Sequence, residues 1–446
     1  MRSREEIHEA CSRILTGIDS DGAELLYSAN DKALTRFANN TIHQNMQQSI
    51  ERIDLRVLVD GRTGKASANS FDDNAVKRMV AQAIEAAGAG AKDDNPLPML
   101  EAGKYATVDA YCQKTADLSP QSRAEKVAQA VSACEKNGLE ASGIFSNEAN
   151  VSAIVNSAGL FAHQPETSTT FSISVASDDS SGWGESVGVS VDKLEIEADI
   201  EKAVKLALDS RKPTDIEPGE YTVVLPPEAA FCFMPFLGFR AFNGLLFAEG
   251  RSALSGKLGK KFFGGNISIK DDFSHPLQKG MPFDYEGMPR QVVPLVENGK
   301  VKAVTHDRRT ARMCAAESTG HSLPVPSSWG ALPFNMVIEA GDSDLEEMIA
   351  STENGLFVTH FHYTNVVDPM KMLITGMTRD GVFRIREGKI AEPVRNLRFT
   401  ESAFKAYSNV DMLGIEQKRI SMGYGGAFVA PAMRIDNFNF SSVTEF

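Results

Sequence analysis

Apolar positions recur along the chain with two different periods, and the alternation between them outlines its elements. Residues 3–17 place Ile7, Cys11, Ile14 and Leu15 on one face at helical spacing. Strand-like runs follow in AELLYSA, ALTRFANNTIHQ and ERIDLRVLVDG. In the last, Ile53, Leu55, Val57 and Val59 alternate with Arg52, Asp54 and Arg56, the pattern of a strand with one buried face. Asp60-Gly61 signals the turn that ends it, and a helix is predicted over residues 74–89.

The same order then repeats. Ser119 suits an N-cap, Pro120 the first helical position and Gly138 the C-terminal cap. Strands are predicted in SGIFSNE, NVSAIVNSAGLFAHQ and TTFSISVAS, and a helix over EADIEKAVKLALDS. The rounds share wording: LYSANDKALTRFANNTIHQ is similar to IFSNEANVSAIVNSAGLFAHQ, ending at His43-Gln44 and His163-Gln164. A repeat of more than about 100 residues suggests duplicated helix–three strands–helix units, not a solenoid. The alternative is chance similarity between two modules.

The linker Arg211 to Glu220, with two prolines and mixed charge, is the best domain boundary. Beyond it strands dominate, in YTVVLP, QVVPLVENGKVKAVTHD, NMVIEAG, GLFVTHFHYTNVV, KMLITGMTRDGVFRIREGKI and AMRIDNFNF. Ser343 and Glu346 form a capping-box pattern ahead of LEEMIAS, and a second helix is predicted over TESAFKAYSNVDML. The expected fold is α+β. An N-terminal α+β domain covers 1–215, with repeats at 1–92 and 116–210, and a mainly antiparallel β domain with a few helices covers 216–446.

Composition narrows the function classes. A net charge of −13, with only KLGKK (Lys257 to Lys261) as a basic cluster, argues against nucleic-acid binding. The start MRSREEIHEACSRIL lacks an apolar h-region, so a cytoplasmic protein is expected. The apolar run Ala229 to Phe239 is too short to span a bilayer, so no membrane is expected either. Five scattered cysteines without a CxxC pair suit a reducing compartment and no thiolate zinc cluster.

Generic chemical motifs mostly fail. GWGESVG (Gly182 to Gly188) has one gap too long for a dinucleotide fingerprint and leads into VGVSV instead of a helix. SGKLGKKF lacks P-loop spacing, and neither GxSxG nor HExxH is present. His360 and His362 lie two apart on a predicted strand, so both face one side. They are either half of a metal site or two hydrogen-bonded imidazoles on a polar face. Arg379-Asp380-Gly381 reads as a hairpin turn, with Arg379 as a binding alternative. In AAFCFMPFLGFRAFNGLLFAEG, Arg240 interrupts an apolar run.

Longer stretches carry a family resemblance. TRFANNTIHQN, LRVLVDGRTGKASANS, GRSALSGKLG, PFDYEGMPRQVVPLVENGKV, ESTGHS, TGMTRDGVFRIREGKIAEPVRNLRFTES and APAMRIDNFNF occur in the order found in the TldD/PmbA (TldE) family. The chain resembles that family over nearly its whole length. The resemblance implies a cytosolic peptidase system, first described as modulators of DNA gyrase, that acts on small or unfolded polypeptides. In that system TldD carries zinc and PmbA/TldE is its metal-free partner.

TldD-type members carry HExxxH shortly before the segment that resembles GRSALSG. An ungapped count back from Gly250 puts Pro235 and Arg240 in the histidine positions and Phe236 in the glutamate position. The third ligand, a cysteine, opens a glycine-rich stretch that matches MGYGGAFVAPAMRID, which puts Met422 there. Pro and Phe offer zinc no donor, Arg stays protonated, and a thioether substitutes poorly for a thiolate. A slip in alignment restores nothing, because no histidine lies between His163 and His275.

The expectation is a PmbA/TldE-like subunit with no catalytic residues and no metal of its own, beside a zinc-bearing TldD-type partner. The alternative is a stand-alone homodimer that binds peptides without chemistry. Substrate-binding candidates are Arg240, Asn243, His360, His362 and Arg379. Arg240 is read either as a satisfied helix-end cation or as a clamp for a substrate carboxylate. Pro235 is expected to break its helix near Met234.

Overall fold

The computed structural model of the chain describes residues 1–324, 327–422 and 426–444. Helix α1 (Arg4–Thr16) starts in a capping box between Ser3 and Glu6 and leads into β1 (Gly22–Ala38), β2 (Thr41–Val59) and β3 (Arg62–Ala68). The run AELLYSA and the first half of ALTRFANNTIHQ are thus one strand, β1, and the rest of the second run crosses a turn into β2. The turn that the hydrophobic pattern does not show falls at Asn39-Asn40, whose φ angles of 49° and 58° suit asparagine. Helix α2 (Asp73–Ala89) follows, capped by Asp72, and then a short helix α3 (Gln113–Ala116). Helix α4 (Pro120–Glu135), capped by Ser119, opens the second round of β4 (Glu140–Asn156), β5 (Phe161–Ala176), β6 (Ser181–Gly188) and α5 (Ile196–Asp209).

These strands form one six-stranded sheet in the order β3-β2-β1-β4-β5-β6, symmetric about the antiparallel β1–β4 pair. His43 and His163 lie on the second strand of each half. Helices α1 and α2 cover the first half through Ile7, Cys11, Met79 and Ala83, packed on Leu25 and Leu55. Helices α4 and α5 cover the second half through Val127, Ala130 and Ala203, packed on Phe145 and Ile173. GWGESVG finds its explanation here. A Cβ on Gly182 would lie 2.0 Å from the Ala203 carbonyl oxygen, and one on Gly184 would lie 2.4 Å from that of Asp199. Glycine lets α5 lie against β6, with no part in nucleotide binding.

The second half is the expected β-rich unit with short helices. Its strands are β7 (Gly219–Leu225), β8 (Ile269–Asp271), β9 (Val293–Glu297), β10 (Lys300–Val301), β11 (Met336–Ile338), β12 (Asn354–Asp368), β13 (Leu373–Arg386), β14 (Lys389–Pro393), β15 (Leu397–Ser402), β16 (Val410–Ser421) and β17 (Ala427–Val443). Most pairs are antiparallel, with parallel contacts at β7–β12 and β11–β17. The path β17-β15-β13-β12-β7 returns to β17, so five strands close into a ring.

Two helix expectations need correction. The cap of Leu345–Ala350 is Asp344, which accepts the Glu347 N–H at 2.7 Å, and not Ser343, whose backbone bridges to Gly414. Only Ala403–Ser408 is helical in TESAFKAYSNVDML, because its flanks are drawn into β15 and β16.

An ion cluster ties the two halves together. The Glu228 carboxylate, 4% exposed, accepts from Lys202 Nζ of α5 at 2.7 Å and from Lys418 Nζ of β16 at 2.8 Å. Burial alone would raise its pKa, but the two ammonium groups outweigh it and hold the carboxyl at about 2, below the usual 4.5. A depressed folded pKa gives stability that is present above about 4.5 and lost as pH falls toward 2. Glu228→Gln should therefore lower stability at pH 7 by about 1–3 kcal/mol. The gap between variant and wild-type urea midpoints should close on acidification, whereas equal midpoints at pH 7 would refute the coupling.

Candidate functional site

The apolar segment begins as a helical turn at Pro227–Ala230 and tightens to 3-10 geometry at Phe231–Phe233. It makes one α turn at Met234–Phe236 and widens to a π turn at Leu237–Ala241. Pro235 has no N–H to give the Phe231 carbonyl, and the ladder changes type on both sides of it. The widened turn closes through Phe242 N–H to the Leu237 carbonyl at 2.8 Å. Phe233 anchors the segment, its ring edge-on to Phe399 at 5.9 Å and Tyr407 at 5.8 Å, while the Tyr407 hydroxyl donates to Ala230 O.

A five-residue spacing on a regular α-helix leaves side chains about 140° apart, and a π turn brings them closer to one side. The backbone between positions 235 and 240 thus has the local form that paired ligands at HExxxH spacing would use. The side chains do not fit zinc. Pro235 and Phe236 are half-buried apolar groups, and Arg240 is exposed, with no hydrogen bond or ion pair among the described residues. Met422 is half-buried against the core, its methyl group over Gly426; residues 423–425 of the glycine-rich stretch lie outside the described residues. Phe334 joins the two regions, meeting Phe239 edge-on at 6.2 Å and touching the Gly426 position through its carbonyl. None of the four positions supplies a metal donor of the required kind.

Asn243 has a structural duty. Its Oδ1 accepts from Leu245 N–H and Leu246 N–H, and its Nδ2 donates to Phe239 O and Trp329 O. It caps the Gly244–Ala248 helix and pins the 329 loop, and these bonds use its donors and its acceptor within the chain.

His360, His362 and Arg379 come together instead, at the junction of the two halves. Arg379-Asp380-Gly381 is not a hairpin turn: it lies within β13, where Thr359 of β12 faces both Asp380 and Gly381 in a bulge. Asp380 has φ +60° and Gly381 φ +117°, and the Thr359 hydroxyl bonds both carbonyls at 2.8 and 2.9 Å. The bulge aims the buried Asp380 carboxylate at His360, Oδ2 to Nδ1 at 2.9 Å. Burial pushes Asp380 up, but the bond to His360, with its charge, holds the carboxyl below its usual range.

Trp183 of β6 stacks on His360 at 4.4 Å and 4°. His362 lies 6.5 Å from His360, ring to ring, and its Nδ1 faces Arg379 Nη1 at 3.3 Å. Burial, then Arg379 and His360, press the His362 pKa down. Beside these groups is a cavity of about 790 Å³ lined by His362, Arg379, Asp380, Lys212 and Arg395. The Asp380 carboxylate orients the His360 ring through Nδ1, and Nε2 is the ring nitrogen left outside that bond. Among the described residues no three His, Cys, Asp or Glu side chains converge as a metal site. Trp183 carries no signal of this contact in the sequence, where it sits inside the glycine-rich GWGESVG.

Three family profiles match the chain. Residues 218–442 match the PmbA/TldA metallopeptidase C-terminal domain, 23–87 its domain 1 and 114–211 its central domain. A protein described as a metalloprotease from Methanothermobacter thermautotrophicus is 25% identical over 389 residues, 83% of each chain. A metalloprotease TldD homolog of Buchnera aphidicola is 26% identical over 222 residues, 49% of this chain and 45% of its own. The crystal structure of TldE from Thermococcus kodakarensis superposes with a TM-score of 0.87 at 21% identity, over 98% of this chain and 99% of that one.

The bulge yields a prediction. A Cβ on Gly381 would need a left-handed backbone and would lie 3.0 Å from the Phe383 ring. Gly381→Ala should cost about 1–3 kcal/mol, read as a lower melting temperature. An unchanged melting temperature would mean that the bulge is not constrained as described.

Proposed function

The chain belongs to the PmbA/TldA metallopeptidase family, and on that premise we propose that it is a member without zinc, handling small or unfolded peptides beside a zinc-bearing TldD-type partner. The observation that carries this reading is the side-chain chemistry at Pro235, Phe236, Arg240 and Met422, none of which supplies what zinc or a general base requires. The irregular helix keeps its place through Phe233 while these positions are filled by apolar groups and an exposed cation. Arg240, with no partner among the described residues, is free to meet a peptide carboxylate. His362 and Arg379 supply polar contacts at the junction cavity, with His360 beside His362. Hydrolysis belongs to the partner in this reading, and both proteins work in the cytosol. No described helix is long and apolar enough to cross a membrane.

Reconstitution tests the partnership. The purified chain is mixed with a TldD-type protein whose HExxxH is intact, and cleavage of an unfolded polypeptide is followed. Cleavage should require both proteins and vanish when glutamine replaces the glutamate of the partner's HExxxH. No complex and no effect on the partner's rate would overturn the reading in favour of a stand-alone peptide binder.

A further inference from the structure

A second cavity, of about 380 Å³, lies between β4 and β5 of the first sheet and β16 of the second. Phe334 and Gly426 form part of its wall, so it opens beside the region that Met422 occupies. Strand alternation sets its charge: Lys418 turns to Glu228, and Arg419 turns to the other face, into the cavity.

The polar inventory there is unbalanced. Among the described residues, Arg419 Nε and Nη1 are buried without an acceptor, and so is Arg290 Nε. Arg290 Nη1 is held by Asn335 Oδ1 at 2.6 Å, which fixes its fork in place. Gln278, 2% exposed, gives its amide N–H groups to Ala427 O and Met336 O. That leaves its Oε1 buried and without a donor among the described residues. Glu166 lines the same space, yet neither arginine forms an ion pair with it among the described residues. Burial pushes the Glu166 carboxyl up, and Arg419 and Arg290 draw it back down. Buried donors and acceptors without partners are uncommon in native proteins, and a group of them around one cavity calls for a ligand with the complementary pattern.

Two guanidinium groups call for a carboxylate, and the lone amide oxygen calls for an N–H close to it. The last residue of an extended peptide carries both. We propose that this cavity binds the C-terminal carboxylate of a peptide, with Arg290 and Arg419 on the carboxylate and Gln278 Oε1 accepting the terminal amide hydrogen. Glu166 closes the site on one side and disfavours a second negative charge. The proposal rests on the peptide-handling reading for the nature of its ligand, while the imbalance of the cavity stands without it.

Calorimetric titration of the full chain alone, in chelator, tests it with three probes. These are N-acetyl-tetraalanine with a free C-terminal carboxylate, the same peptide as its C-terminal amide, and an N-acetyl-Ala-Ala-Glu-Ala amide. The free acid should bind at least about tenfold more tightly than either amide. Arg419→Met should bring the free acid to the level of its amide, and Arg419→Lys should recover part of the difference. Equal binding of acid and amide, binding of the glutamate peptide as tight as the free acid, or no binding at all would overturn the proposal. Hydrolysis in the reconstituted pair without any preference for the free acid would sink this site alone. A clear preference without hydrolysis would sink only the partnership.

Discussion

An imide nitrogen at position 235 carries no hydrogen, and the form of the central apolar segment follows from that. The chain cannot hold a regular α ladder through this point, so it runs tight before Pro235 and wide after it. What keeps the segment folded is packing, not its own hydrogen bonds. Phe233 is locked among Phe399 and Phe438 of the closed strand ring and Tyr407 of the helix Ala403–Ser408. The ring closes because β17, seventeen residues long, pairs with β15 and β7 on the two sides of the same circuit. The backbone of this segment is thus maintained by the core of the second half, independently of what residues 235, 236 and 240 can bind.

Charge is concentrated where the halves meet. Glu228 joins α5 to β16, His360 and Trp183 stack across the junction, and Arg419 projects into the second cavity from the strand that supplies Lys418. Low dielectric strengthens each of these contacts, and it also makes each unpaired group costly. Polar groups at such a seam are positioned by both halves at once.

Much of this was legible in the pattern of residues. The cap at Ser119, the helical spacing over residues 3–17 and the alternation from Ile53 to Val59 mark elements the structure contains. The α+β class followed from that periodicity. The turn at Asn39-Asn40 was masked by strand-forming residues on both sides, and the bulge at Asp380-Gly381 was read as a turn because both need left-handed backbone. His360, His362 and Arg379 could be singled out by type and spacing. Trp183, Gln278, Arg290 and Arg419 could not, because their roles arise from contacts between strands far apart in the chain. Asn243 was a reasonable polar candidate whose donors and acceptor turn out to be used by the backbone around it.

The central claim is that this member of a metallopeptidase family has no zinc site of its own, and metal content measures that most directly. The full chain, purified without chelator in zinc-containing buffer and then desalted, should carry far less than one zinc per chain by mass spectrometry of the metal. About one tightly held zinc per chain, lost when His360 and His362 are both replaced by alanine, would contradict the account and move the chemistry to the junction of the two halves.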